Sequence, residues 1–152
     1  MDDYKRAYED VNLDVIKNNV DIIMKRTKPG TKALIVVKAD AYGHGDVPVA
    51  RALESRADYF AVATGPEAIN LRENGITKPI LILGFVAYEE YEDLINNDVD
   101  LVIFDKESAD ALSEAAKKIG KTAKCHVKVD TGMRRIGVEP VKESVEIVKY
   151  IK

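Results

Sequence analysis

Apolar residues in this chain come in two kinds of run, and the two alternate. Leu13, Ile16, Val20 and Ile23 recur at helical spacing, with Lys17, Asn18, Asp21 and Lys25 on the other face. The pattern predicts a helix from an Asn12 N-cap to about Thr27. Lys28-Pro29-Gly30 ends it, because proline cannot continue a helix and glycine takes its left-handed exit. Residues 33–38 are of the other kind, a nearly continuous β-forming apolar run that stops at Lys38. Similar runs recur at 58–63, 79–84, 101–104 and 123–129.

Helical patterns fill the gaps. Asp46 is placed to cap a short helix containing Val47, Ala50 and Leu53, with Pro48 tolerated in its first turn. Thr64 and Glu67 have capping-box spacing ahead of a helix that ends at Gly75. A tyrosine- and glutamate-rich helix is expected over 88–96, and Asp105 caps another that Gly120 closes. A last helix opens near Pro140 and keeps its pattern to Lys152.

Strands every ~20–25 residues with a helix in each gap are the spacing of βαβ units. Continuous apolar strands imply that both faces of the sheet are covered. The fold class is therefore α/β with a parallel sheet. Two architectures fit. A (β/α)8 TIM barrel needs eight units and typically about 250 residues, so about five units preceded by a helix would make a partial barrel. A doubly wound sheet can be complete at five strands, but its G-x-G-x-x-G loop after the first strand is missing here. In a partial barrel the first and last strands become apolar, unpaired edges, which favours self-association.

Composition narrows the function classes. With 23 basic and 26 acidic residues (net −3), no basic face points to nucleic acid or anionic lipid. No apolar run approaches the roughly 20 residues needed to span a bilayer, and the polar, acidic N-terminus is unlike a signal peptide. One cysteine, Cys125, excludes an internal disulfide and fits a reducing, cytoplasmic setting.

Two stretches carry candidate chemistry. If strand alternation holds, Lys38 continues the face of Leu34 and Val36, where partial desolvation frees its amine to attack an aldehyde. The alternative is a lysine snorkelling from a strand end. In the loop beyond it, Tyr42 offers a hydroxyl, while Gly43 and Gly45 let backbone amides approach an anion such as phosphate. His44 can be a catalyst or a loop hydrogen-bonder. In the second stretch His126, Lys128 and Asp130 alternate onto one face of a strand. That face lines a barrel interior or simply faces water, as Lys124 on the same face allows. Beyond it Arg134 and Arg135 sit in a glycine-flanked loop, where a guanidinium can hold a phenolate or carboxylate.

Val-Lys-Ala-Asp-Ala-Tyr-Gly-His-Gly, residues 37–45, resembles the cofactor-lysine motif of the alanine racemases, pyridoxal-phosphate enzymes of barrel type. Lys-Val-Asp-Thr-Gly-Met-Arg-Arg-Ile-Gly, residues 128–137, resembles that family's second signature, and 62–76 and 79–84 also look like it. The resemblance implies that Lys38 binds pyridoxal 5'-phosphate as a Schiff base and serves as one of two racemisation bases. It implies that Tyr42 bonds the phosphate, and that Arg135 bonds the pyridine-ring oxygen and the substrate carboxylate. Lys128 matches a lysine carbamylated in many members, whose negative charge would orient Arg135. Arg134 stands where the family commonly has a small residue, often glycine; the following Ile136-Gly137 matches Arg135 to the family's arginine.

The resemblance further implies interconversion of L- and D-alanine for peptidoglycan, in a cytoplasmic homodimer. Residues 1–152 match only the N-terminal part of the family's barrel domain. The later barrel strands and the C-terminal β-domain, which supplies a partner's tyrosine as second base, match nothing in these residues, so the chain alone is expected to be inactive. The alternatives are a pyridoxal-phosphate carrier of related barrel fold and a self-associating half-barrel without catalysis.

Overall fold

The computed structural model describes residues 9–151. The first helix, Leu13–Lys25, begins where the side chain of Asn12 accepts from the amides of Asp14 and Val15, 3.0 and 3.1 Å away. Leu13, Ile16 and Val20 pack against the core, but Ile23 is 61% exposed. At 100° per residue the buried stripe turns toward Met24 instead, so Ile23, expected on the buried face, falls outside it. A two-bond pair from Arg56 to Asp21, at 2.8 and 3.0 Å, anchors this helix to the turn before the second strand.

Five strands follow: β1 Leu34–Val36, β2 Tyr59–Val62, β3 Ile80–Ile82, β4 Val99–Ile103 and β5 Cys125–Val127. They pair in parallel in the order β1-β2-β3-β4-β5. Sequential order separates the two candidate architectures. A doubly wound sheet reverses direction at a switch point, whereas in a barrel each new strand adds beside the last. The sheet is an arc of a (β/α)8 barrel.

Register assigns the faces. Ile35, Phe60, Ile80 and Val99 form one row and Val62, Ile82, Leu101 and Cys125 the next. These rows pack with Leu53, Ala68, Leu71, Leu94 and Leu112 of the crossover helices in one apolar core. The opposite rows contain Val36, Ala61, Leu81 and Asp100, then Val102 and His126. None of these six belongs to the helix-side core, so the helices all cover one face and the other is the barrel's inner face. Burial of the helix side is the main stabilising term, at roughly 25 cal/mol per Å² of apolar surface.

Most predicted elements are present with shifted ends. Gly65–Glu73 starts from the Thr64–Glu67 capping box. Lys106–Lys118 starts where the Asp105 carboxylate accepts from the Ser108 amide at 2.8 Å. Asp46 lies inside its helix, Asp46–Leu53, and Gly45 is the cap, because Gly45 adopts φ 88°. β4 begins at Val99, two residues before the apolar run suggested, and takes in buried Asp100. The expected helix from Pro140 is a single 3₁₀ turn, Lys142–Ser144, followed by Val145–Ile151.

The edges are shorter than expected. β1 and β5 are three residues each. Beyond β5 the chain returns so that Val129 and Val138 form a parallel bridge, with Asp130 N donating to Val138 O at 2.8 Å. Among the described residues no helix is long and apolar enough to cross a membrane.

Phe60 is fully buried at the centre of the helix-side core. Phe60→Ala is expected to lower stability by about 3–5 kcal/mol, read as a shift in the urea midpoint. Leu34→Ala on the open face of β1, where Leu34 is 43% exposed, is expected to change it by about 0.5 kcal/mol or less.

Candidate active site

The backbone leaves the sheet sooner than alternation suggests. Val37 still donates to Ala61 O at 2.9 Å, but its ψ of 20° ends the strand, so Lys38 is not a strand residue. Lys38 opens a turn in which Ala39, Asp40, Ala41 and Tyr42 all have positive φ, between 50° and 58°. This is a left-handed helical turn built without glycine, in a region that costs roughly 1–2 kcal/mol per residue. Lys38 is half-buried where the turn begins.

Hydrogen bonds hold the strained turn. Ala41 N donates to Val37 O at 2.9 Å, and Gly43, at φ 91°, donates to Ala39 O and Asp40 O at 3.1 and 3.0 Å. The Asp40 carboxylate accepts from the Asp46 amide at 2.8 Å. Asn70 donates to the Asp46 carboxylate at 2.9 Å, and Glu67, one turn earlier on the same helix, accepts from the Ala39 amide at 2.8 Å. Tyr42 is left 63% exposed at the end of the turn. His44 bonds Ala41 O through Nδ1 at 3.0 Å and lies 3.8 Å from the Glu9 carboxylate, which makes it a loop hydrogen-bonder here.

Lys128 follows β5 at the same end of the sheet. Its amide donates to Ile103 O at 2.9 Å and its Nζ to Leu83 O at 3.2 Å. Lys38, Ala63, Leu83 and Lys128 thus follow the C-terminal ends of four of the strands, the position where α/β barrels carry chemistry. Gly84 belongs to this rim because a Cβ there would stand 2.5 Å from Ala63 O.

The loop after β5 is organised by Asp130. Its carboxylate accepts from the amides of Gly132 at 2.8 Å and Arg135 at 3.1 Å. Backbone amides of the loop, that of Arg134 foremost and then Gly132, hold the carboxyl below the usual range. Gly137, at φ 130°, lets the chain close back, since a Cβ there would sit 2.8 Å from Asp130 N. Arg134 has φ 55°, the left-handed region, which glycine alone adopts without strain. Asp130, Arg134, Arg135 and Glu139 line one open hollow. Among the described residues no two of Lys38, Tyr42, Lys128 and Arg135 hydrogen-bond one another through their side chains.

Of the alternating trio, His126 faces the barrel interior. Its Nε2 is 3.2 Å from the Asp100 carboxylate, which also accepts from the Tyr59 hydroxyl at 2.9 Å. The Tyr59 and His126 rings meet edge-on at 5.8 Å. Bonding to Asp100 pushes the Tyr59 phenol above its usual range. Asp100 is 2% exposed. Lys124 instead pairs with Asp98 at 2.7 Å, near the opposite end of the sheet. Burial pushes the Cys125 thiol up, so it is a poor nucleophile. Sequence reasoning overlooked Tyr59, Asp100 and Glu67. An acid inside an apolar run was a readable signal for Asp100; Glu67 looked like a cap and nothing more.

Two outcomes follow for the loop. Arg134→Gly is expected to raise stability by about 0.5–1 kcal/mol in thermal unfolding, because the relief of left-handed strain exceeds glycine's added unfolded-state entropy. A depressed folded-state pKa means that Asp130 stabilises the loop above the unfolded carboxyl value, about 3.9, and loses this as pH falls through the lower folded value. Protection of the Gly132 and Arg135 amides from hydrogen exchange should be lost in Asp130→Ala at neutral pH.

Comparison with known proteins matches residues 11–152 to the family described as "Alanine racemase, N-terminal domain". A curated alanine racemase of Methanococcus maripaludis is 45% identical over 146 residues, which is 95% of this chain and 39% of the relative. One from Clostridium perfringens is 46% identical over 147 residues, 95% of this chain and 38% of its own length. The solved alanine racemase of Clostridium difficile 630 superposes with a TM-score of 0.84 at 45% identity, over 91% of this chain and 36% of that one. The chain spans less than two fifths of the length of these relatives. With a family match over nearly all its residues and the same fold as solved members, this chain belongs to the alanine racemase family, by its N-terminal domain.

Proposed function

We propose that this chain is the cofactor-bearing part of a pyridoxal-phosphate-dependent alanine racemase, residues 1–152 forming the N-terminal portion of its barrel domain. The observation that carries the reading is Lys38, half-buried at the rim beyond β1 within the 37–45 motif, with Lys128 beyond β5 at the same rim. The donor set fits the cofactor's chemistry. An amine, a phenol and a guanidinium, on Lys38, Tyr42 and Arg135, suit an aldehyde, a phosphate and a ring oxygenate, and among the described residues none of the three is engaged by another side chain.

Pyridoxal phosphate, when bound, supplies an electron sink that makes the α-proton of an amino acid removable. Lys38 would hold the cofactor through Nζ, and its amine would carry the proton on one face of the substrate α-carbon. The Tyr42 hydroxyl would donate to the phosphate, and the Arg135 guanidinium would donate to the ring oxygen and the alanine carboxylate. Carbamylation of Lys128 would replace its cation with an anion able to accept from Arg135. The carrier alternative draws on no feature of its own in this structure, and the half-barrel alternative draws only on the open edge of β1.

Racemisation needs removal on one face and return on the other, and Lys38 is the single base this reading assigns among the described residues. The full activity accordingly belongs to a longer, cytoplasmic, homodimeric protein that makes D-alanine for peptidoglycan. Self-association of this chain is expected through the outer edge of β1, where Leu34 is exposed. A sizing column showing only a monomer at tens of micromolar would count against it.

Adding pyridoxal phosphate to the chain is expected to produce a visible absorbance band that borohydride fixes on Lys38 and that Lys38→Ala abolishes. Racemisation of alanine by the chain is expected to stay at background. A band that survives Lys38→Ala overturns the assignment of the lysine, and measurable racemisation overturns the division of labour.

A further inference from the structure

Glu67 does more than close a capping box. Its Oε2 accepts from the amides of Ala63 at 2.7 Å and Thr64 at 3.2 Å, the second being the expected cap contact. Its Oε1 reaches 28 residues back to the Ala39 amide at 2.8 Å. One carboxylate therefore ties the residue after β2 to the turn after β1. Charge-assisted bonds of this kind are about twice as strong as neutral ones.

The Ala39 amide shares its peptide plane with the Lys38 carbonyl. Because that plane is rigid, fixing the direction of the Ala39 N–H fixes ψ of Lys38. On the other side, the Val37 carbonyl, in the peptide plane that leads into Lys38, accepts from Ala41 N at 2.9 Å. The peptide planes on both sides of Lys38 are thus held, one by a bond within the turn and one by the Glu67 carboxylate, and its Cα–Cβ direction is set by both. The following four residues cannot provide this by themselves, since positive φ is strained for each of them.

We infer that Glu67 is a positioning residue for Lys38: by accepting from the Ala39 amide it fixes the left-handed turn and aims the Lys38 amine at the aldehyde it captures. This rests on the reading of Lys38 as the cofactor amine. In the capture step the Lys38 Nζ adds to the aldehyde carbon of pyridoxal phosphate, the Nζ–C bond forms, and the carbonyl oxygen leaves as water. Glu67 takes no part in that exchange. It fixes the starting position of the nitrogen.

Glu67→Gln tests the role, because the side-chain amide keeps one acceptor oxygen where the carboxylate had two: with that oxygen serving the Ala63 and Thr64 amides, an N–H points at the Ala39 N–H. The 152-residue chain is mixed with pyridoxal phosphate, reduced with borohydride at timed intervals, and label on the Lys38 peptide is measured. Hydrogen exchange at the Ala39 amide is followed in parallel. Glu67→Gln is expected to slow capture tenfold or more, inside the roughly hundredfold that a 1 Å misplacement can cost, and to expose the Ala39 amide. Thr64→Ala weakens the same helix start without touching the Ala39 contact, and should capture at the parental rate.

Ala39→Gly relieves strain in the turn, so the Ala39→Gly/Glu67→Gln pair guards against a variant that fails to fold, and it too should capture slowly. Equal capture in the parent and in a folded Glu67→Gln chain overturns the inference. So does a loss in Thr64→Ala that matches the loss in Glu67→Gln, since the role would then be general stability. A parent chain that captures nothing at Lys38 overturns the cofactor reading, and does so whether or not Glu67 protects the Ala39 amide.

Discussion

Parallel strands can be joined only by a crossover, and a crossover between right-twisted strands returns with one hand. In this chain each crossover brings the next strand to the open side of the last, and its helix to the same face of the sheet. Nearly everything else follows from that. The helix-side rows of Phe60, Ile80, Val62, Ile82 and Leu101 become the core. The opposite rows become an inner face that can hold Asp100, Tyr59 and His126 because, among the described residues, no helix packs there. The C-terminal strand ends align on one rim, so loops far apart in sequence meet there.

At that rim the fold stores strain. Four consecutive non-glycine residues after Lys38 lie in the left-handed region, against their own steric preference. Two side chains one turn apart on the Gly65–Glu73 helix, Glu67 and Asn70, supply the restraint, directly at Ala39 and through Asp46. The arrangement gives rigidity to the lysine's backbone while its side chain stays half-buried. A second positive-φ residue, Arg134, sits in the other rim loop, where Asp130 gathers backbone amides around a short closed path. Both candidate loops therefore rest on carboxylates that accept from main-chain donors.

Lys128 illustrates how this fold separates roles along a single strand. Two residues apart, His126 meets Asp100 within the sheet while Lys128 reaches Leu83 O at the rim. Alternation brings both to the same face, and depth along the barrel axis then distinguishes them. Lys124, two residues earlier, has already left the interior and pairs with Asp98.

Local chemistry, by itself, determined the order of helices and strands, the caps at Asn12 and Asp105, and the motif around Lys38, since spacing and capping depend only on near neighbours. It also marked the polar face of β5. Strand ends were less legible, because an apolar run does not reveal where hydrogen bonding stops: Lys38 lies outside its strand and Asp100 inside one. Only the tertiary structure decided the strand order, which face the helices cover, and the hand of the turn after Lys38. Each of these depends on contacts between residues distant in sequence, such as Glu67 with Ala39 and Asp100 with Tyr59. In the turn the distant contacts overrule local preference, which is why no local rule could have read it.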